Sequence, residues 1–160
     1  MKKIIKAVDR VVYYVVFKLG LLIGCILACF RWNRMTRILM RFNAKTVLLM
    51  RGGRRKDTIE EIGWEWKRMF PLESMQEIMA MDDHTVYMRT HTWCPLRGTG
   101  DVHACHQLME FDRALLETIG GRLVVLRSQA QPNVKNCEIA IRMSGKSIDD
   151  LLAVQSRNRQ

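Results

Sequence analysis

His91, Cys94, His103, Cys105 and His106 fall within one stretch, residues 90–112, which holds three of the four histidines and two of the five cysteines. These residue types serve as nucleophiles, proton carriers or soft-metal ligands. Two chemistries fit them. In the first, Cys94 or Cys105 attacks, His103 or His106 raises the thiolate fraction and returns the proton near neutral pH, and Asp112 orients that histidine or binds a cation. In the second, Cys94, Cys105 and Cys137 join His91 in a closed Cys₃His shell that would suit zinc, although the Cys-x₁₀-Cys spacing is a weak zinc motif. A packing role stands beside both: Cys105 and Cys137 as small core residues, and His91 as a solvated side chain.

The elements around the stretch must bring these groups together. Residues 85–92 are β-branched and aromatic and read as a strand; residues 104–119 have helical spacing at Leu108, Phe111, Leu115 and Ile119, and Gly120-Gly121 stops that helix. Strands over 122–130 and 136–143 follow, joined by a turn at Pro132-Asn133. Period-two alternation puts Val124 with Leu126, and sets Cys137, Ile139 and Ile141 opposite Glu138, Ala140 and Arg142. If the helix packs on this hairpin and the Cys-Pro loop folds over the helix start, the sulfur of Cys105 and that of at least one of Cys94 and Cys137 lie within about 4 Å. The helix N-terminus would then lower the pKa of Cys105.

Upstream, Thr58 and Glu61 have capping-box spacing before a helix whose buried stripe is Ile59, Ile62, Trp66 and Met69. Trp64 and Trp66 read as packing residues before they read as a site wall. Ser74 and Glu77 repeat the spacing and predict a short helix over 74–81, closed by an Asp82-Asp83-His84 turn leading towards a metal site. At the C-terminal end, Ser147 with Asp149 and Asp150 starts a last helix, followed by a polar tail.

The N-terminal third is of another kind. Residues 11–30 are apolar except for Lys18, long enough for a hydrocarbon core of about 30 Å, and flanked by Lys2, Lys3, Lys6 and Arg10 before and Arg31, Arg34, Arg37, Arg41 and Lys45 after. A net charge of +10 with that placement, and with no nucleic-acid-binding signature, points to a lipid membrane and excludes nucleic acid as partner. The run is either a single span, with Lys18 costing about 2.5–3.5 kcal/mol at mid-bilayer, or a helix in the interface. Gly20 and Gly24 form a Gly-x-x-x-Gly step that would admit a partner transmembrane helix. Cys25 and Cys29 read as apolar fillers. Residues 33–50 alternate Met35, Ile38, Leu39 and Phe42 with Arg34, Arg37, Arg41 and Lys45 as a basic amphipathic helix, broken by Gly52-Gly53. The longer basic flank and the odd cysteine count favour a cytoplasmic C-terminal body.

These signs divide the chain into an anchor over 1–32, a basic helix and linker over 33–56, a cysteine-containing domain over 57–154 and a tail over 155–160. The fold class expected is α+β, an N-terminal membrane-anchoring helix followed by helices packed on a small antiparallel sheet.

The run Cys94-Pro95-Leu96, Cys105 seven residues before Asp112, Gly120-Gly121, and Cys137 leading Glu-Ile-Ala-Ile-Arg together resemble the L-2-amino-thiazoline-4-carboxylic acid hydrolase family over roughly residues 59–143. Met109 stands where that pattern often has a second helix cysteine, and Asn133-Val134-Lys135-Asn136 replaces its acidic turn. The resemblance implies hydrolysis of a C–N bond in a small cyclic amidine, with Cys94, Cys105, Asp112 and Cys137 as the positions carried over. The expected function is therefore a membrane-anchored hydrolase-like protein acting on a small molecule. Its alternative is a non-catalytic accessory subunit of a membrane complex, with the Cys/His cluster structural or metal-binding.

Overall fold

The computed structural model describes residues 2–157, with side chains from Val11 onward except Val12. The basic side chains of Lys2, Lys3, Lys6 and Arg10 and the tail residues 158–160 lie outside the described residues. Four strands, β1 (Gln76–Met81), β2 (Thr85–Thr90), β3 (Gly121–Arg127) and β4 (Cys137–Met143), form an antiparallel sheet in the order β1-β2-β4-β3. The alternation read from the sequence holds. Cys137, Ile139 and Ile141 join Val86, Met88 and Leu123 on one face, and Val124 and Ala140 share the other with Leu151.

Helices cover both faces. On the first lie α3 (Ile59–Arg68) and the pair α4 (Val102–Leu108) and α5 (Glu110–Ile119). On the second lies α6 (Asp149–Arg157), begun by Ser147, whose hydroxyl accepts from Asp149 N at 3.2 Å. The expected capping box closes α3: Thr58 Oγ1 accepts from Glu61 N at 3.2 Å and donates to Glu61 Oε2 at 3.1 Å. The helix expected over 104–119 starts earlier and is broken at Met109. Asp101 is its cap, accepting from Ala104 N at 2.9 Å.

Two expectations fail locally. Residues 74–81 are not a helix; a 3-10 turn over Glu73–Met75 leads into edge strand β1, which pairs with β2 through the register Gln76↔Thr90 to Met81↔Val86. Pairing with a ready-made strand outweighs the weak helical preference of so short a segment. The polar tail is also shorter than expected, because α6 runs through Arg157 and Gln155 Nε2 donates to Val125 O at 2.6 Å.

The N-terminal helices α1 (Lys2–Cys29) and α2 (Asn33–Arg51) fold back on each other as a hairpin at Arg31, whose φ is 62°, and form a third layer over α4 and α5. Among the described residues no helix is long and apolar enough to cross a membrane. The spanning reading is corrected on geometry as well: α1 buries Tyr13, Gly24, Cys25 and Ala28 along its length against the body, and Tyr13 donates to Met69 O at 2.6 Å. The division at residues 32 and 56 is likewise not a structural one, since Tyr13, Ala44 and Val47 share a core with Ile62, Trp66 and Leu115.

The partner expected for Gly20 and Gly24 is inside the chain. A Cβ at Gly20 would lie 2.9 Å from Asn43 Nδ2, and one at Gly24 would lie 2.5 Å from Met40 Cε and 3.1 Å from Leu108 Cδ2. Close approach of α1 to α2 uses up the Gly-x-x-x-Gly step. It is not free for a partner transmembrane helix.

Candidate functional site

Between the α1–α2 hairpin and the sheet is a cavity of about 270 Å³. It lies just under the roughly 300–1,000 Å³ usual for small-molecule sites. Its walls are mostly apolar, from Phe17, Leu21, Val47, Phe70, Leu108 and Phe111. Cys94, Cys105, Cys137 and Asp112 all reach it. Three different elements deliver the thiols. Cys137 opens β4 opposite Thr90, Cys105 lies on the inner side of α4, and Cys94 comes from the loop between β2 and α4.

Residues 128–131 hold the arrangement together. Ser128 Oγ donates to Cys105 Sγ at 2.9 Å and Gln129 N donates to Cys137 Sγ at 3.3 Å. The same turn takes up the Cys-Pro loop: Gly98 N and Gly100 N donate to Gln129 O and Ala130 O at 2.8 and 2.7 Å, and Arg97 forks onto Gln129 Oε1 at 2.9 and 2.7 Å. The loop is therefore tied to the turn of the hairpin.

Electrostatics run against thiolates. Burial pushes Cys105 up to about 12, and burial also raises Cys94 and Cys137. The expected lowering of Cys105 by a helix N-terminus is overturned, because Asp101 already occupies that N-terminus and Cys105 lies in the dry interior behind it. Gln129 N opposes the rise at Cys137.

Asp112 is the single charged residue in the described lining, with no Lys, Arg or His beside the ligand space. Burial raises its carboxyl to about 7, with Arg113 and Trp66 favouring the charged form. Asp112 Oδ1 has no hydrogen-bond partner, nor have Trp66 Nε1, Gln76 Nε2 and Thr92 Oγ1 on the same walls. Trp66 N–H is near enough to steady the carboxylate yet does not close a bond to it. Unpartnered buried polar groups cost roughly 1–3 kcal/mol each, and these four atoms are sealed within the cavity walls.

The histidines are elsewhere. His103 is exposed and bonds Asn33 Oδ1 at 3.2 Å, His106 is exposed on the same side of α4, and His91 is exposed and meets Glu77 Oε2 at 2.9 Å. None lines the cavity. His103 and His91 therefore pair with no cavity thiol, and His106 meets Cys105 only around a separate small pocket behind α4. The Cys₃His shell fails for the same reason: His91 points to Glu77, two thiols take hydrogen bonds from Ser128 and Gln129, and among the described residues no three His, Cys, Asp or Glu side chains are placed to hold a metal ion. The residues present do not fit zinc. Asp82, expected to lead into a metal site, instead accepts from His84 N and Thr85 N at 2.9 and 2.8 Å and shapes the β1–β2 turn.

Sequence reasoning missed Gln76, Thr92 and Gln129 and undervalued Trp66. Only Trp66 carried a signal, as one of two tryptophans two apart on α3, of which Trp64 is exposed and Trp66 is buried to 1%. Protein-family models, curated proteins and solved structures give no match to this chain.

Proposed function

We propose that the protein binds a small, largely apolar molecule with a basic nitrogen group in the Asp112 cavity, hydrolyses a C–N bond of a cyclic amidine there, and rests on a membrane surface through its N-terminal hairpin. The observation that carries the reading is Asp112, the one charged side chain in the described lining of a mostly apolar cavity that three thiols also line. The resemblance to L-2-amino-thiazoline-4-carboxylic acid hydrolases supports the reaction class. No cation in the described lining would pair a substrate carboxylate, so the lining favours an amidine without one.

Asp112 takes the role foreseen for a histidine. A carboxyl near 7 holds both protonation states at neutral pH, which suits a proton carrier. Cys137 is the thiol whose electrostatics couple to Asp112, and Gln129 N steadies its sulfur. As the Cys137 sulfur bonds to the amidine carbon, Asp112 takes its proton and returns it to the departing nitrogen as the C–N bond breaks. Water then adds to the same carbon, leaves its oxygen as the product carbonyl and restores the thiol. Incubation of the full chain in detergent with 2-amino-2-thiazoline, followed by mass spectrometry, tests this: a product one water heavier, lost in Asp112→Asn and Cys137→Ser, is expected. Absence of product with the native chain overturns the hydrolase reading.

The membrane part rests on the outward side of the hairpin. Val15, Leu19, Leu22, Ile26 and Phe30 of α1 and its turn are exposed, continued by Trp32 and by Met35, Ile38 and Phe42 of α2 beside exposed Arg34, Arg37 and Lys45. So extensive an apolar face flanked by cations suits an anionic bilayer surface. Flotation with vesicles containing phosphatidylserine is expected. Failure to float overturns it.

The accessory-subunit reading is favoured by a separate observation, the raised pKa of all three cavity thiols. It predicts that amidines bind without turnover.

A further inference from the structure

Of the residues that line the cavity, four are exposed: Val16, Thr46, Met50 and Trp93. They mark where it opens. Val16 is 59% exposed on α1, and Met50 is 66% exposed on α2. Thr46 lies one turn before Met50, and Gly20 and Asn43 line the cavity behind them. The opening is therefore the seam between the two helices. Trp93 is 50% exposed and lies on the other flank of α1, with Lys18 Nζ 5.5 Å from its ring.

The same hairpin carries the outward apolar face. Val16 and Met50 belong at once to the rim of the opening and to the set of large exposed apolar side chains that runs through Val15, Leu19 and Leu49. A mouth of this kind facing water would present wet apolar walls to every entering solute. Against a bilayer it is continuous with the hydrocarbon. Inside, the walls are mostly apolar, with Asn43 and Thr46 near the opening and Asp112, Trp66 and Gln76 among the lining beyond.

We infer that the cavity is loaded from the bilayer, through the seam between α1 and α2, by an amphiphile whose basic nitrogen head reaches Asp112 and whose alkyl chain lies along the seam. The inference rests on the reading that Asp112 binds a basic nitrogen group and adds the ligand's class and its route. Arg34, Arg37 and Lys45 pair with the anionic headgroups around the hairpin, and Lys18 snorkels at the Trp93 flank. The chain holds the head by charge and hydrogen bonds, and holds the tail by apolar contact with Val16, Leu21 and Met50.

The test uses the full chain bound to vesicles of phosphatidylcholine and phosphatidylserine in equal parts, doped with an alkylamine brominated at its chain end. Bromine quenches tryptophan fluorescence by contact, so Trp93 at the opening and Trp66 inside report a tail in the seam. The matching bromoalkyl alcohol supplies the background from lipid around Trp32. Excess quenching by the amine over the alcohol is expected, reduced several-fold by Asp112→Asn and by Thr46→Phe, which fills the opening and leaves the carboxyl untouched. Benzamidine added from water to the same protein, read by thermal shift, separates the two levels of the argument. If amine and alcohol quench equally while benzamidine stabilises the protein, loading from the bilayer is overturned and the Asp112 reading stands. If benzamidine also has no effect, both fall. Should Asp112→Asn fail to fold, an undiminished excess in Thr46→Phe is enough to overturn the route.

Discussion

The Trp66 indole on α3 and the Asp112 carboxyl on α5 lie close enough for the indole to favour the charged carboxylate, yet Trp66 Nε1 and Asp112 Oδ1 close no hydrogen bond. An indole N–H beside a carboxyl would ordinarily close a bond on burial. Leaving both unbonded inside the fold costs roughly 1–3 kcal/mol for each group, which a small shift of either side chain would recover.

The buried carboxyl makes stability fall as pH rises. Asp112 titrates near 3.8 in an unfolded chain and near 7 in the fold, so between those values the native state holds a proton that the unfolded state has lost. Unfolding free energy should decline from about pH 4 to about pH 7 and then level off. Asp112→Asn should remove that slope and stabilise the protein at pH 8 by a few kcal/mol, at about 1.4 kcal/mol per pKa unit. Arg113, Trp66 and Cys137 are the groups that act on it. Urea melts of both proteins at pH 5 and pH 8 check it. Parallel curves would show that Asp112 is solvated.

Gly24→Leu should destabilise the isolated chain by about 1–3 kcal/mol, the usual cost of overpacking, because its side chain meets Met40 and Leu108. Gly24→Ala should be milder, since the Met40 tip has cavity space to turn into, and should weaken ligand binding more than it lowers stability. Thermal melts beside benzamidine titrations measure the two effects.

Thiol reactivity should follow burial. Cys29 is exposed and should react with a maleimide first; Cys105 and Cys137 are buried, with raised pKa values, and should react only on unfolding or at strongly alkaline pH. Mass spectrometry of the order of labelling decides. Rapid labelling of Cys137 near neutral pH in the native protein would mean that Asp112 is already drawing its proton.

Alanine at His103 or His106 should leave amidine binding and turnover unchanged, since neither lines the cavity. Asp101→Ala, by contrast, should cost about 1 kcal/mol, as expected for loss of a helix cap that also meets Arg31 at 3.0 Å.

The sheet was legible because alternation at Cys137, Ile139 and Ile141 survives any choice of neighbours, and the start of α3 because Thr58 and Glu61 cap it through local bonds alone. Residues 74–81 were not, since their conformation is set by β2 across a turn. At the site, Cys94, Cys105, Cys137 and Asp112, the positions the resemblance implied, all line one cavity. The error on the histidines was geometric: on a helix, adjacent residues point about 100° apart. His103 and His106 therefore share the outer side of α4 while Ala104, Cys105 and Leu108 take the inner one. Gln76 and Thr92 had no local signature, because their role depends on what the fold leaves unbonded.

The hairpin that roofs the cavity is made before the elements it packs on. When residues 2–51 leave the ribosome, the inner surfaces of α1 and α2 have nothing to meet, since their partners Trp66, Leu108, Leu115 and Ile139 are still untranslated. A nascent α1 therefore exposes Val15 and Leu19 on one side and Tyr13 and Phe17 on the other. Translation beside a lipid surface would shelter the outer side at once and leave only the inner one waiting. The fold then closes downward onto a hairpin already lying in place, and an empty vesicle supplied during cell-free synthesis should raise the yield of folded chain more than the same vesicle added afterwards.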